Sequence, residues 1–188
     1  MNSSTPSPQD ATLRLFFALW PEGRALGSLG PWQEHAHALC GGRMMRAETL
    51  HLTLAFLGQA TPEQAQALTA HTRADRIDEG EIELRHYGAF PRQGIVWAGP
   101  EADDPATQTL HGIHDRLWNR LQDLGWQRPD QAFKPHVTLL RKADCSALPA
   151  PMPEPVVWAY RHYVLVSSEP NKGMAQYRVL ARSGADGG

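Results

Sequence analysis

The sequence predicts an α+β fold built from two similar halves, in which two antiparallel sheets face a central cleft and helices pack outside. The first observation is a repeat, because HLTL at residues 51–54 returns as HVTL at residues 136–139. The second is that each half contains short apolar strand patterns together with a helical pattern. The two motif copies lie about half of the ordered chain apart. This spacing indicates an internal duplication around a pseudo-two-fold axis.

Length and charge limit the classes of protein that fit. A chain of 188 residues is long enough to bury a core without disulfides or metals. A formal net charge of -2 and a pI near 6.5 argue against coating nucleic acid through a basic surface, so any nucleic-acid contact should be local. We expect a polar, proline-containing tail over residues 1–10, a single bilobal domain over residues 11–182 and a second tail over residues 183–188.

Cysteine usage and hydropathy indicate the compartment. Cys40 and Cys145 are far apart in the sequence and form no CxxC pattern, and no signal-peptide pattern precedes them. The longest apolar runs are too short to span a bilayer. The sequence therefore predicts a reduced cytoplasmic protein with no membrane partner, and we expect it to be a monomer.

The first half begins with an apolar and aromatic strand, Leu13–Trp20, whose alternation places Phe16 on the opposite side from Leu15 and Phe17. Thr61 followed by Pro62 predicts a helix start, since threonine is a good N-cap and proline suits the first helical position. The remaining elements are a helix up to Cys40 interrupted at Gly27, Gly30 and Pro31, a short extended piece at Arg43–Arg46, the motif strand Leu50–Leu57 closed by Gly58, and the end of the second helix near Arg73.

The second half contains a predicted hairpin, made of Glu81–Phe90 and Gly94–Ala98. Asp104 and Pro105 open the clearest helix, and Gly125 is its C-terminal stop. The apolar stripe of that helix is Leu110, Ile113, Leu117, Leu121 and Leu124, and the strands that follow are Lys134–Arg141, Val156–Ser168 and Ala175–Leu180.

The motif residues predict acid-base chemistry. In an extended strand the histidine and threonine of each copy project from one face, while the alternate residues face the core. Two imidazoles across a cleft can serve as general acid and general base, and two hydroxyls can bind phosphate oxygens. This is a way to cleave a phosphodiester without a cofactor, and most readily a strained cyclic one. A zinc site is disfavoured, because neither motif has an Asp, Glu or Cys within three residues on the same face.

The chain resembles the two-histidine (2H) phosphoesterase superfamily and, within it, the bacterial and archaeal RNA 2',3'-cyclic phosphodiesterase family, also called 2'-5' RNA ligase. The two HxT motifs alone indicate only the superfamily, and the flanking blocks indicate the family. The matching blocks are RLFFALWP (Arg14–Pro21), HLTLAFLG (His51–Gly58), GAFP (Gly88–Pro91) and FKPHVTLLR (Phe133–Arg141).

The resemblance implies hydrolysis of a terminal 2',3'-cyclic phosphate of RNA, or of a small cyclic nucleotide, to a 2'-phosphate. It implies that His51 protonates the leaving 3' oxygen, that His136 activates water, and that Thr53 and Thr138 hold the phosphate. The residues alone do not assign the acid. The resemblance also implies that Arg141 contacts the phosphate. Regular alternation puts its side chain on the face opposite His136 unless the strand twists or ends there, and the alternative is a solvated charge at the end of the strand.

Further substrate contacts are expected at the edge of the cleft. Phe16 is a candidate for stacking on a base, with a core position as the alternative. Arg46 and Lys134 lie just ahead of the two motifs and are candidates for a basic rim along an RNA strand. Relatives commonly have arginine at the position of Lys134, and a lysine lacks the guanidinium fork that binds a phosphate through two hydrogen bonds.

Two other functions are compatible with the same motif residues. The cleft could capture RNA ends without turnover, or it could catalyse 2'-5' ligation, since the same residues can serve the reverse of transesterification.

Overall fold

The computed structural model of the protein describes residues 13–150, 154–171 and 174–184. In this part of the chain the helices are α1 (Gly23–Cys40), α2 (Pro62–Ala74) and α3 (Pro105–Asp123). The strands are β1 (Leu13–Leu19), β2 (Arg43–Met44), β3 (Leu52–Ala60), β4 (Gly80–Leu84), β5 (His86–Phe90), β6 (Ile95–Gly99), β7 (Val137–Arg141), β8 (Val156–Tyr160), β9 (Val164–Asn171) and β10 (Met174–Arg182). The expected N-terminal tail, residues 1–10, lies outside the described residues.

Most strands belong to one antiparallel sheet of order β10-β9-β1-β3-β7-β6-β5, with β2 paired to the edge of β7. A second sheet consists of β4 and β8. The prediction of an α+β fold with antiparallel sheets is confirmed. The strand sets of the two halves were expected to form separate sheets, but they are joined, because the two motif strands pair with each other at Leu52 and Val137.

Strand β1 separates two apolar layers, as its alternation predicts. Leu15 and Phe17 belong to the large core that also contains the buried faces of the helices. Phe16 and Ala18 belong to a smaller cluster on the other face of the sheet, together with residues of β9. The helices therefore cover one face of the sheet near β1, and the opposite face is available for a site.

The helix starts that the sequence predicts are confirmed. Thr61 accepts a hydrogen bond from the backbone N–H of Gln64, whose side chain in turn accepts from the N–H of Thr61, completing a capping box at α2. Asp104 caps α3 by accepting from the N–H of Ala106. Four members of the predicted α3 stripe are buried, whereas Leu124 at the end of the helix is 39% exposed.

The first helix is continuous, although interruptions were expected at two glycines and a proline. Pro31 lies inside α1 and removes one backbone donor. Neighbouring side chains compensate through burial, since Leu29, Trp32 and Ala36 are almost fully inaccessible to solvent. Tertiary packing therefore overrides the low helix propensity of this segment.

Two predicted long strands are divided, for one shared reason. Glu81–Phe90 breaks after Leu84, and Val156–Ser168 breaks after Tyr160. The first part of each pairs with the first part of the other, forming the small sheet β4-β8. The second parts continue into the large sheet, where β5 forms the predicted hairpin with β6.

Two residues that follow β10 form backbone hydrogen bonds with other parts of the chain. The N–H of Ser183 donates to the carbonyl of Tyr163 at 2.9 Å, and the N–H of Gly184 donates to the carbonyl of Asp75 at 2.7 Å. Both residues belong to the C-terminal tail expected over residues 183–188, of which residues 185–188 lie outside the described part of the chain. No helix among the described residues has the length and apolar character needed to cross a membrane.

Candidate active site

The pairing of the two motif strands brings both histidines to one place. His51 and His136 each lie immediately before their strand, β3 or β7, and the residues that follow them, Leu52 and Val137, are partners in the sheet. Both histidines, together with Thr53 and Thr138, line a single cleft of about 370 Å³. The four motif residues therefore face the same space.

The two imidazoles are oriented in the same way. Nδ1 of His51 lies 2.7 Å from the carbonyl oxygen of Thr49, and Nδ1 of His136 lies 2.7 Å from the carbonyl oxygen of Lys134. A carbonyl oxygen can only accept, so we assign the hydrogen of each neutral ring to Nδ1. Nε2 is then the nitrogen left to exchange a proton with a substrate.

Aromatic rings hold both histidines in place. The indole of Trp20 stacks on His51 with ring centroids 5.2 Å apart and an interplanar angle of 12°, and Phe16 and Tyr177 also contact that ring. On the other side of the cleft, the rings of Phe90 and Trp97 lie 5.1 and 5.8 Å from His136, centroid to centroid.

Burial disfavours the charged form of both imidazoles. It lowers the pKa of His51 from 6.5 to about 4; the hydrogen bond to Thr49 opposes this shift, and the neighbouring His136 and Arg141 add to it. Burial also lowers the pKa of His136, aided by the charges of Lys134 and Arg141. An anion bound between the rings would reverse these shifts, because a nearby negative charge favours the imidazolium.

A β-bulge brings Arg141 into the cleft. Thr138 pairs with Trp97 and Leu140 pairs with Val96, so Leu139 is an extra residue in β7. The bulge reverses the alternation beyond it, which places Arg141 on the same face as Thr138 rather than on the opposite one. Arg141 accordingly lines the cleft with both histidines.

The first motif strand contains the same bulge. Thr53 pairs with Ala18 and Ala55 pairs with Phe17, so Leu54 is the extra residue in β3. Phe56 consequently shares the face of Thr53, at the motif position that Arg141 occupies in the second copy. Its side chain lines the cleft and is 50% exposed.

The other sequence candidates lie in different positions. Phe16 lines the cleft but is 4% exposed and packed against His51, so most of its ring is already covered. Nζ of Lys134 lies over the rings of Trp97 and Phe90, at 4.9 and 5.9 Å from their centroids, and lines an adjoining pocket. Arg46 forms an ion pair with Glu48 at 3.2 Å and is outside the described lining of both pockets.

Several site residues were not identified from the sequence. Arg14 lines the cleft and holds its guanidinium over the ring of Phe56, 5.5 Å from the centroid. The sequence pattern that could have identified Arg14 is the alternation of β1, which places it on the same strand face as Phe16. Phe90 belongs to the GAFP block, but nothing in that block or in its distance along the chain from His136 indicated that its ring contacts this histidine. The rings that hold the histidines and were missed are Trp20, Phe90, Trp97 and Tyr177.

The donor set of the cleft is cationic and poor in metal ligands. Its described lining contains two histidines and two arginines, and no carboxylate or thiol. Across the described part of the chain, no group of three or more His, Cys, Asp or Glu side chains is arranged to hold a metal ion.

An α+β fold whose two HxT motifs face one cleft defines a two-histidine phosphoesterase. Residues 21–164 match the sequence profile of the 2'-5' RNA ligase superfamily, and the chain belongs to this superfamily. The resemblance noted from the sequence is thereby confirmed.

Individual relatives agree over nearly the whole chain. The RNA 2',3'-cyclic phosphodiesterase of Escherichia coli (strain K12) is 29% identical over 171 residues, covering 90% of this chain and 94% of that protein. The Thermus thermophilus protein of the same name is 31% identical over 183 residues, covering 90% and 89%. The crystal structure of E. coli LigT complexed with 3'-AMP superposes with a TM-score of 0.76 at 26% identity, covering 92% of this chain and 97% of that one.

Proposed function

We propose that the protein is a metal-independent hydrolase that opens the 2',3'-cyclic phosphate of an RNA end, or of a small cyclic nucleotide, to a 2'-phosphate. The observation that carries this proposal is the matched pair of histidines in one cleft, each held by a 2.7 Å hydrogen bond from Nδ1 to a backbone carbonyl. That geometry supplies two Nε2 atoms for one substrate. The names of the relatives from E. coli and T. thermophilus support the choice of substrate.

The reaction follows from general acid-base chemistry. Nε2 of His136 removes a proton from water, and the water oxygen attacks phosphorus. The bond from phosphorus to the 3' oxygen breaks, and the protonated Nε2 of His51 donates its proton to that oxygen. A proton then passes from His136 to His51 through solvent to restore the starting state.

Charge and hydrogen bonding complete the site. The hydroxyls of Thr53 and Thr138 donate to the non-bridging oxygens, and the guanidinium of Arg141 offsets their negative charge. The bound phosphate also raises the pKa of His51, so substrate binding charges the acid. The absence of carboxylates from the described cleft lining favours this mechanism over a metal-assisted one.

We infer that the two halves are related by a pseudo-two-fold axis at the pair formed by Leu52 and Val137. Three features support it: the motif strands pair at equivalent positions, both bulges fall on the last leucine of the motif, and both histidines bond the carbonyl two residues earlier. All of these groups come from one chain, which fits a monomeric enzyme. Free thiols at Cys40 and Cys145 fit the cytoplasm.

The test is product analysis. An RNA ending in a 2',3'-cyclic phosphate is incubated with the protein in excess EDTA, and the product is compared with 2'- and 3'-phosphate standards by chromatography. We expect the 2'-phosphate from the wild type and none from His51→Gln or His136→Gln. His71→Gln, on the exposed side of α2, is the matched control and should behave as wild type. A 3'-phosphate product, or activity that requires added metal, would contradict the mechanism.

Two other outcomes would redirect the assignment. Tight binding without product would favour the RNA-end capture function. Joining of a cyclic end to a 5'-hydroxyl RNA would reveal 2'-5' ligation at the same site, which the superfamily description favours as the second candidate.

A further inference from the structure

The cleft continues past His136 into a second pocket. This pocket has a volume of about 510 Å³ and lies between β3, the turn after β5, helix α3 and residues 128–134. Thr53, Phe56 and His136 line both spaces. A ligand held at the histidines can therefore extend into the second pocket without leaving the protein surface.

The lining of the second pocket suits a nucleotide. Its aromatic side chains include Phe56, Phe90 and Phe133, which offer flat apolar surfaces. Gln93 and Gln131 add amide donors and acceptors of the kind that form hydrogen bonds with base edges.

The charge of the second pocket suits an anion. Lys134 and Arg128 add positive charge, and the described lining contains no carboxylate. An anionic ligand with a planar ring matches this combination better than a peptide or a lipid does.

The pocket is held in shape by its own contacts. The ring of Phe133 stacks on His114, with centroids 4.0 Å apart and planes 7° from parallel. Nη2 of Arg128 forms an ion pair with Asp115 at 2.5 Å. The ammonium of Lys134 is held over aromatic rings. Because these side chains are already positioned, binding would cost little further ordering.

Phe56 forms the wall shared by the two spaces. It occupies the position in the first motif that Arg141 occupies in the second, and half of its surface is exposed. The arginine is suited to the phosphate at the histidines, and the ring is suited to a base next to it. The guanidinium of Arg14 lies over this ring, 5.5 Å from the centroid, and the exposed half of the residue's surface suits a stacked base.

We propose that the second pocket is a subsite for the nucleotide on the 5' side of the terminal cyclic phosphate, with its base stacked between Phe56 and Phe133 and its linking phosphate near Lys134. This assignment rests on the proposed function and narrows it, because it makes RNA strands better substrates than mononucleotides. Gln131 contacts the base edge.

The test compares two substrates, adenosine 2',3'-cyclic phosphate and the dinucleotide ApA ending in a 2',3'-cyclic phosphate. We expect the wild type to have a kcat/KM at least tenfold higher for the dinucleotide. Phe56→Ala should lower this preference about five- to a hundredfold, the range for loss of one stacked base. Phe56→Tyr should retain it, and Gln131→Ala should lower it a fewfold.

Gln127→Ala is the matched control, since Gln127 lies exposed in the same connection but outside the described lining of the pocket. Equal kcat/KM for both substrates, or a preference untouched by both Phe56→Ala and Gln131→Ala, would overturn the subsite. Failure to hydrolyse either substrate would instead overturn the proposed function. In that case calorimetric titration with 2'-AMP and with ApA carrying a terminal 2'-phosphate decides the subsite, which requires tighter binding of the dinucleotide.

Discussion

The two motif copies have the same backbone geometry and different surroundings. In each, the histidine precedes a strand, its Nδ1 bonds the carbonyl two residues earlier, and a bulge follows at the last motif leucine. Around His51 the walls are the rings of Phe16, Trp20 and Tyr177. Around His136 the walls are aromatic rings together with Lys134, which lies over the ring of Trp97. Arg141 lines the cleft at the motif position that Phe56 occupies in the first copy.

This difference suits the two roles, acid and base, that the proposed mechanism gives to the two copies of the motif. Shared geometry presents two equivalent nitrogens, whereas unequal burial and charge set their proton affinities. Burial lowers the pKa of His51 to about 4, so in the proposed mechanism this acid gains its proton when a bound phosphate raises that pKa. The second copy places the positive charges of Lys134 and Arg141 near His136, where the proposed mechanism puts the phosphate.

The largest expected effect comes from removing either imidazole. His51→Gln and His136→Gln should each lower kcat by about 10²- to 10⁴-fold, because each removes one proton transfer. The double variant should lose little more than the worse single variant, since acid and base act as a unit. Single-turnover rates on a cyclic-phosphate dinucleotide measure this. Losses that multiply in the double variant would mean that the two histidines act independently.

The pH profile sharpens the electrostatic side of the comparison. In the free enzyme both histidine pKa values lie below 6.5, and catalysis needs one ring charged and the other neutral. Above both values that form declines about tenfold per pH unit, so kcat/KM should fall about a hundredfold between pH 6.5 and 8.5. The decline of kcat should begin at a higher pH than the decline of kcat/KM, because bound phosphate raises the pKa of the acid. A flat kcat/KM over this range would contradict the low pKa values.

Substitution of Arg141, which follows the bulge in the second motif strand, separates phosphate binding from stacking. Arg141→Ala should raise KM about 10- to 100-fold for both mononucleotide and dinucleotide substrates, since a charge-assisted contact to the phosphate is lost. Arg141→Lys should recover part of this loss, because the charge remains without the fork. Steady-state kinetics on the two substrates give the comparison. An effect of Arg141→Ala confined to the dinucleotide would place its contact beyond the cyclic phosphate.

The last expected effect is on stability and not on catalysis. The pKa of His51 is lower in the folded protein than in the unfolded chain, so the unfolded state binds more protons between pH 6.5 and about 4. The free energy of unfolding should therefore fall as pH falls through this window, by up to about 1.4 kcal/mol per pH unit from this residue. Urea denaturation of wild type and His51→Gln isolates the contribution. The stabilising contribution of neutral His51 should be present at pH 7 and lost at pH 4. If the free energy of unfolding had the same pH slope in both proteins, this prediction would be wrong.

Much of the fold could be read from the sequence because its signals are local. The alternation of β1, the capping box at Thr61 and the stripe of α3 depend on residues a few positions apart. The divided strands at Leu84 and Tyr160 could not be read in this way. Nothing within either segment indicates that its first part pairs with a partner far away in the chain.

The candidate site shows the same division. Repetition of HxT identified the two histidines and threonines, since a strand presents alternate residues on one face. Regular alternation places Arg141 on the face opposite the histidine, and only the bulge at Leu139 brings it to the same face. Arg46 was placed at the rim of the cleft from its closeness in sequence; it forms an ion pair with Glu48, and its contact with RNA stays a prediction.

The sequence by itself determined the repeated motif, the α+β class and the superfamily, because these depend on residue identity and short-range periodicity. The tertiary structure alone decided how the two halves meet, which nitrogen of each histidine is available, and which side chains share the cleft. These depend on strand pairing between distant segments, on bulges that reverse a face, and on burial that shifts a pKa. Each arises only when residues far apart in the chain come into contact.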